Sequence, residues 1–350
     1  MRLTAFFHPL ARIATVTMLA ALTLAGCGST TPARPDAGTQ PVLSSSAPPV
    51  RIGIALGGGA AKGFAHIGVI KMLEANGFAP AVVSGTSAGS VVGALYASGM
   101  NAFEMQEKAV ALDEAKIRDL QLSSGGLVLG QKLEDYVNEQ VRRKPLEQMA
   151  KPFVVVATRL EDGERTVFAR GNTGQAVRAS SSVPGVFQPV TIGKYHFVDG
   201  GIVSPVPVDA ARQLGADIVI AVDISNKARG QTPGDMLGTL GQSIAIMGQK
   251  LGQAELARAD VIIRPQVLDI GSADFSQRTN AILEGEKAAL AVMPQIRERV
   301  AQLQAERANA ARAAQQKAAE AQYQTCLEKR SSLQKLAGMA RLDDSCTAPK

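Results

Sequence analysis

The chain is predicted to be an α/β protein, a three-layer α/β/α sandwich around a mostly parallel central sheet, with a C-terminal helical extension. Three observations predict this. Short β-branched runs alternate with helix-patterned segments from residue 51 to about 300. Those runs are apolar enough to be covered on both faces, as strands of a parallel sheet are. Residues 295–323 contain neither Gly nor Pro and consist mainly of Ala, Gln, Arg and Glu, all strong helix formers apart from a few apolar positions. With 46% hydrophobic and 19% charged residues in 350, the chain buries a sizeable core and is not globally disordered.

The elements follow in order. Residues 51–56 (RIGIAL) form a strand that runs into glycines. Residues 60–76 space Phe64, Ile67, Val69, Ile70 and Leu73 along one helical face, which Gly77 closes. Residues 80–84 are a second strand, and 87–99 a helix of small residues. Further strands are expected at 153–158, 217–222 and 260–264, each preceded by a helical pattern. The result is one domain over 51–293, with no convincing internal repeat.

Both ends differ from this body. Residues 1–26 carry Arg2, Arg12 and no acid, then an uncharged apolar stretch from 13 to 26. That stretch falls short of the roughly 20 residues needed to span a membrane but suits a secretory signal. Leu24-Ala25-Gly26-Cys27 resembles the bacterial lipoprotein box. The resemblance implies lipidation at Cys27 and a lipid-anchored protein of the cell envelope; Gly28 in place of Asp points to the periplasmic face of the outer membrane. Residues 27–50 hold five Pro among Ser, Thr, Gly and Ala and read as a disordered tether. Residues 294–350 form an Ala-rich helical tail. In an oxidising compartment Cys326 and Cys346 are expected to pair and pin a helical hairpin. The far half of the tail reads as a solvated helix, with a protein-partner helix as the alternative.

The net charge of +6 is confined to the ends. Residues 297–350 hold ten Lys/Arg against six Asp/Glu, Arg2 and Arg12 supply the rest, and 28–296 is formally neutral. With 4% aromatic residues and no Trp, the body has no phosphate-tracking surface, which argues against a nucleic-acid partner.

Two glycine signatures carry chemistry. Gly85-Thr86-Ser87-Ala88-Gly89 matches G-x-S-x-G between a strand and a helix, the setting of a nucleophile elbow, whose strained backbone needs small flanking residues. Ser87 then lies at a helix N-terminus, where the dipole favours developing negative charge; the alternative is a hydroxyl serving only as a helix cap. Gly57-Gly58-Gly59 opens a second loop, followed by Lys62 and Gly63. It lacks the G-K-[ST] of a phosphate loop and the acid about 20 residues on of a dinucleotide fingerprint. An oxyanion hole remains, since glycines let backbone N–H groups approach a tetrahedral oxygen. Lys62 reads either as a nearby positive charge or as a solvent-exposed side chain.

For the base, His196 and Asp199 stand three apart on an extended run, about 10 Å at 3.3 Å per residue, and are poor partners for each other. Asp199, followed by Gly200 and Gly201, is favoured over His196 and His66; a His196 triad is the competing arrangement. No H-E-x-x-H, zinc-spaced Cys/His pair or Ca²⁺ loop occurs, so no metal and no cofactor are expected.

These motifs, with VVVATRLEDGE (154–164), RASSSVPGVFQPV (178–190), VDGGIVSPVPV (198–208) and ADVIIRP (259–265), resemble the patatin-like phospholipase family, in its bacterial subgroup related to neuropathy target esterase. The resemblance covers nearly all of 51–290. It implies a Ser–Asp dyad of Ser87 and Asp199, an oxyanion loop of Gly57, Gly58 and Gly59, and supporting Lys62, Gly63, Gly85, Gly89, Gly200 and Gly201. It also implies hydrolysis of phospholipid or lysophospholipid esters through an acyl-enzyme. Ala60 departs from the family's glycine pattern, and Ser182 stands where many relatives carry an apolar residue. An envelope adaptor with a vestigial site is the alternative function.

Overall fold

The structure, a computed structural model, describes residues 48–117, 128–225, 227, 234–337, 346 and 348. The expected signal, tether and Cys27 lie outside the described residues. In chain order the elements are β1 (Ile52–Leu56), α1 (Ala65–Ala75), β2 (Val82–Thr86), α2 (Ala88–Ala97), α3 (Ala102–Val110), α4 (Gln131–Gln140), β3 (Phe153–Arg159), β4 (Arg165–Phe168) and α5 (Thr173–Ser180). They continue with β5 (Val190–Ile192), β6 (Tyr195–Asp199), α6 (Val208–Gln213), β7 (Ile218–Val222), α7 (Met236–Leu256), β8 (Val261–Ile263) and α8 (Arg278–Ala337).

The described strands form one sheet in the order β5-β6-β3-β2-β1-β7-β8, with β4 also paired to β3. Strands β3, β2, β1, β7 and β8 are parallel, β4 and β6 run against them, and β5, antiparallel to β6, runs with them. The period of two sorts the side chains into two cores. Ile52, Ile54 and Leu56 of β1 and Ile218, Ile220 and Val222 of β7 point into the larger core, with α1, α2 and α8. Ala55, Val219 and Ala221 face the other way, onto Val208 and Ala211 of α6 and Leu256 of α7. The molecule is thus a three-layer α/β/α structure with a mostly parallel central sheet.

The tail differs from its expected outline. Helix α8 runs unbroken from Arg278 through Pro294 to Ala337, so the boundary at 293/294 does not interrupt the backbone. Ile296 and Val300 are still core residues and Leu303 packs partly against them; the side chains between 304 and 332 are half-buried or exposed. Cys326 is disulfide-bonded to Cys346 with the Cα atoms 6.0 Å apart. The second arm of the expected hairpin lies outside the described residues.

Candidate active site

Ser87 and Asp199 meet because one strand registers both. Val156 of β3 pairs with Thr86, the residue before Ser87, and the next residue, Ala157, pairs with Asp199. The β2 end and the β6 end are thereby delivered to adjacent positions. Ser87 Oγ donates to Asp199 Oδ2 at 2.6 Å, and both residues are buried at 7% exposure.

The backbone at Ser87 has φ 52° and ψ −124°, a conformation side chains rarely adopt. Local bonds hold it there. The Ser87 N–H donates to Ser180 Oγ at 2.8 Å, and the Ser180 hydroxyl donates to the Val156 carbonyl at 2.5 Å. The Ser87 carbonyl accepts from Ser90 Oγ at 2.6 Å, and α2 begins at the next residue with its positive dipole end toward the hydroxyl. The turn closes only without side chains at its flanks: a Cβ on Gly89 would stand 2.1 Å from the Leu56 carbonyl oxygen, and one on Gly85 2.6 Å from the Gly89 oxygen. Gly63 passes α2 just as closely, since its Cβ would meet Ala88 Cβ at 2.7 Å.

Asp199 is fixed from three sides. Its Oδ1 accepts from Gly201 N at 2.7 Å, its carbonyl from Thr158 Oγ1 at 2.8 Å, and its own N–H donates to the Ser182 carbonyl at 2.9 Å. Gly200 must lack a side chain, because a Cβ would stand 2.2 Å from the Val156 oxygen. Burial pushes the Asp199 carboxyl up to about 6, against the lowering effect of its bonds from Ser87 and Gly201. It is therefore ionised at neutral pH, but a far better proton acceptor than a solvated carboxylate.

The glycine loop lies over Ser87, with a Cβ on Gly58 only 3.2 Å from Ser87 Cβ. Of the three expected donors, Gly57 and Gly58 have amides bonded within the fold. The Gly57 amide donates to the Val222 carbonyl at 3.1 Å and the Gly58 amide to the Pro205 carbonyl at 3.0 Å. Both are already used, so neither is available to an oxyanion. The amides of Gly59 and Ala60 make no hydrogen bond among the described residues, and Ala60 is held at φ 52°. Gly59, one of the expected donors, thus keeps an unbonded amide, and Ala60 after it takes a left-handed conformation. Lys62 is 1% exposed, which overturns its reading as a solvent-exposed side chain.

Among the described residues neither His66 nor His196 bonds to Ser87 or Asp199. His196 is exposed and its Nδ1 pairs with Glu161 Oε1 at 2.7 Å. His66 is fully buried, its Nε2 bonded to the Gly57 carbonyl at 2.8 Å, and burial pushes its pKa down to about 4. It braces the glycine loop as a neutral imidazole.

Sequence reasoning missed several supports. Ser180, Thr158 and the loop 204–207 carry no local signal, because their partners are distant. Ser84 Oγ donates to the Pro207 carbonyl and Thr86 Oγ1 to the Ser204 carbonyl, each at 2.8 Å. Glu255 of α7 anchors that loop by accepting from the Ser204 hydroxyl and from Val206 N at 2.8 Å; burial raises its pKa. A run such as RASSSVPG, with three adjacent hydroxyls at a helix end, was the only hint of Ser180.

Residues 54–212 match the family model described as Patatin-like phospholipase. An NTE family protein of Mycobacterium tuberculosis (strain ATCC 25618 / H37Rv) is 35% identical over 191 residues, 54% of this chain and 52% of its own. A lysophospholipase of Pyricularia oryzae is 30% identical over 181 residues, 50% of this chain and 12% of its own. Among solved structures, VipD from Legionella pneumophila aligns at 17% identity with a TM-score of 0.45, over 71% of this chain and 67% of that one. The chain spans about half the length of the mycobacterial relative.

Proposed function

We propose that the chain, whose residues 54–212 match the family model described as Patatin-like phospholipase, hydrolyses carboxylic esters of phospholipids or lysophospholipids, with Ser87 as nucleophile and Asp199 as base. The observation that carries this reading is the buried 2.6 Å bond from Ser87 Oγ to Asp199 Oδ2, at a strained turn beneath unbonded backbone amides. In the cycle, Ser87 Oγ attacks the ester carbonyl carbon while its proton passes to Asp199 Oδ2. The amides of Gly59 and Ala60 receive the oxyanion. The C–O bond to the alcohol then breaks, and Asp199 returns the proton to the departing oxygen. Water deprotonated by Asp199 attacks the acyl-enzyme, releasing the fatty acid and restoring the Ser87 hydroxyl.

The pH dependence tests both the reaction and its base. The base must be ionised to accept a proton, and the fold holds the carboxyl up near 6. Hydrolysis of a nitrophenyl ester, as kcat/KM, is expected to rise with pH through about 6 and to be level above about 7. A flat profile between about pH 4 and 7 would exclude Asp199 as the titrating base; no hydrolysis at any pH would exclude the reaction.

Location is part of the same proposal. A lipidated Cys27 on a tether would hold the domain at the periplasmic face of the outer membrane, within reach of its substrate. The wild-type chain is expected in the membrane pellet of an envelope preparation with acyl chains on Cys27, and the Cys27→Ser chain without them. A wild-type chain with acyl chains absent by mass spectrometry would refute the anchor.

A further inference from the structure

Helix α7 is longer than the layer it covers. Its 21 residues span about 31 Å, whereas a five-residue strand such as β7 spans about 17 Å. The register of the helix on the sheet is set by two contacts. A Cβ on Gly248 would lie 3.8 Å from the Gly201 oxygen, and one on Gly252 3.5 Å from Pro205 Cγ. Gly248 is thus level with the turn that follows Asp199. The twelve residues before it, 236–247, extend about 18 Å further in the direction of the strand ends that carry the site.

Those twelve residues (MLGTLGQSIAIM) contain no charge, and none of residues 238–247 is buried. Met236 is 84% exposed, Met247 52%, Ile246 47% and Leu240 42%. An uncharged, apolar helix segment left in water at one edge of a catalytic site marks a surface for something apolar. The next turns are different. Lys250 follows on the helix, and Lys227 and Arg264 line a depression with Gln249 and Gln253; Arg264 also meets Asp223 at 3.4 Å. Behind this apolar projection, which Asp235 caps at its start, Lys227 and Arg264 stand against Asp223, the layering of a phospholipid surface with acyl chains outermost on the helix and phosphates behind. No described helix is long and apolar enough to cross a membrane, so α7 can enter only the interfacial layer.

We propose that residues 236–247 of α7 insert into a phospholipid surface, with Lys227 and Arg264 facing its phosphates, and so place the Ser87–Asp199 site at the bilayer. The proposal rests on the lipid-ester reading of the site for its biological sense, but its test does not depend on turnover.

The chain has no Trp, so Leu240→Trp supplies a single emission reporter. It is placed in the full chain carrying Cys27→Ser, to remove any acyl anchor, and Ser87→Ala, to prevent hydrolysis. With vesicles of phosphatidylcholine and phosphatidylglycerol, its emission is expected to shift to the blue and to fall to about half or less when the acyl chains are brominated. Leu290→Trp on α8 is expected to show neither change. With Ser87 intact, Met236→Asp with Met247→Asp, both at exposed positions, is expected to lower hydrolysis of vesicle phospholipid at least about tenfold and to leave that of a soluble nitrophenyl ester within about twofold. Absence of quenching at position 240 overturns the proposal. So does a blue shift without vesicles that accompanies dimerisation in sedimentation, or one produced by acylating Ser87, since either would assign the segment to a second copy or to a cover over the site. If the soluble ester is not hydrolysed at all, the function fails while the quenching result still decides the docking.

Discussion

Ser87→Ala is expected to lower ester hydrolysis by about 10⁴- to 10⁶-fold, the range for removing a catalytic serine whose supporting groups remain. The loss should be chemical, not structural. Ser87 is small, its backbone bonds to Ser180 and Ser90 do not involve Oγ, and Ala fits the same turn. What disappears is the bond to Asp199. Circular dichroism and melting should therefore stay close to wild type, while a fluorophosphonate should no longer form an adduct. An Ala variant that keeps more than about a tenth of the activity would transfer the reaction to another nucleophile.

Asp199→Asn is the second large effect, about 10³- to 10⁴-fold in kcat. An amide preserves the shape, and its oxygen can still accept from Gly201 N while its nitrogen donates to Ser87 Oγ. It cannot take a proton from the serine. The same substitution has a stability consequence of opposite sign. The folded carboxyl is held near 6, above its ordinary 3.8, so the fold favours the protonated form. That contribution is full below about pH 4 and is lost as pH rises to about 6; about two units correspond to roughly 2–3 kcal/mol. Above pH 6 the Asn variant should therefore melt higher than wild type, and near pH 4 the difference should vanish. His196→Ala, by contrast, should leave kcat within about twofold, because that ring is exposed and tied to Glu161. Equal damage from the histidine and aspartate variants would favour a triad.

The parts of this site that were legible in the sequence are those whose cause is local. GTSAG needs small residues because the turn and the start of α2 leave no room at Gly85 and Gly89. Asp199 was readable because the glycines after it permit contact with β3. The alternating apolar runs translated directly into β1, β2, β3, β7 and β8, since strands covered on both faces have little choice of residue. The short strands β4 and β5 were not legible: their side chains are mostly half-buried, so no period stands out. Nor was it legible which amides of the glycine loop are left unbonded. Whether Gly57 and Gly58 have available amides depends on Val222 and Pro205, far away in the chain, and no glycine count reveals that. For Lys62 the sequence left a nearby positive charge and a solvent-exposed side chain both open, and its burial follows only from how the 3₁₀ turn Ala60–Phe64 packs against α2 and α8. In the same way, the uncharged first half of α7 is unremarkable until Gly248 and Gly252 set its height on the sheet.

The proposed mechanism depends on one proton moving from Ser87 to Asp199, and the rate at which a fluorophosphonate modifies Ser87 measures that most directly, without substrate binding or product release. Followed from about pH 4 to about pH 8 with the adduct mapped by mass spectrometry, the wild-type rate constant should climb through an ionisation near 6, and the Asp199→Asn rate should be at least about 10³-fold lower and flat with pH. Modification of Ser87 in the Asn variant at the wild-type rate, or with the same pH dependence, would contradict it.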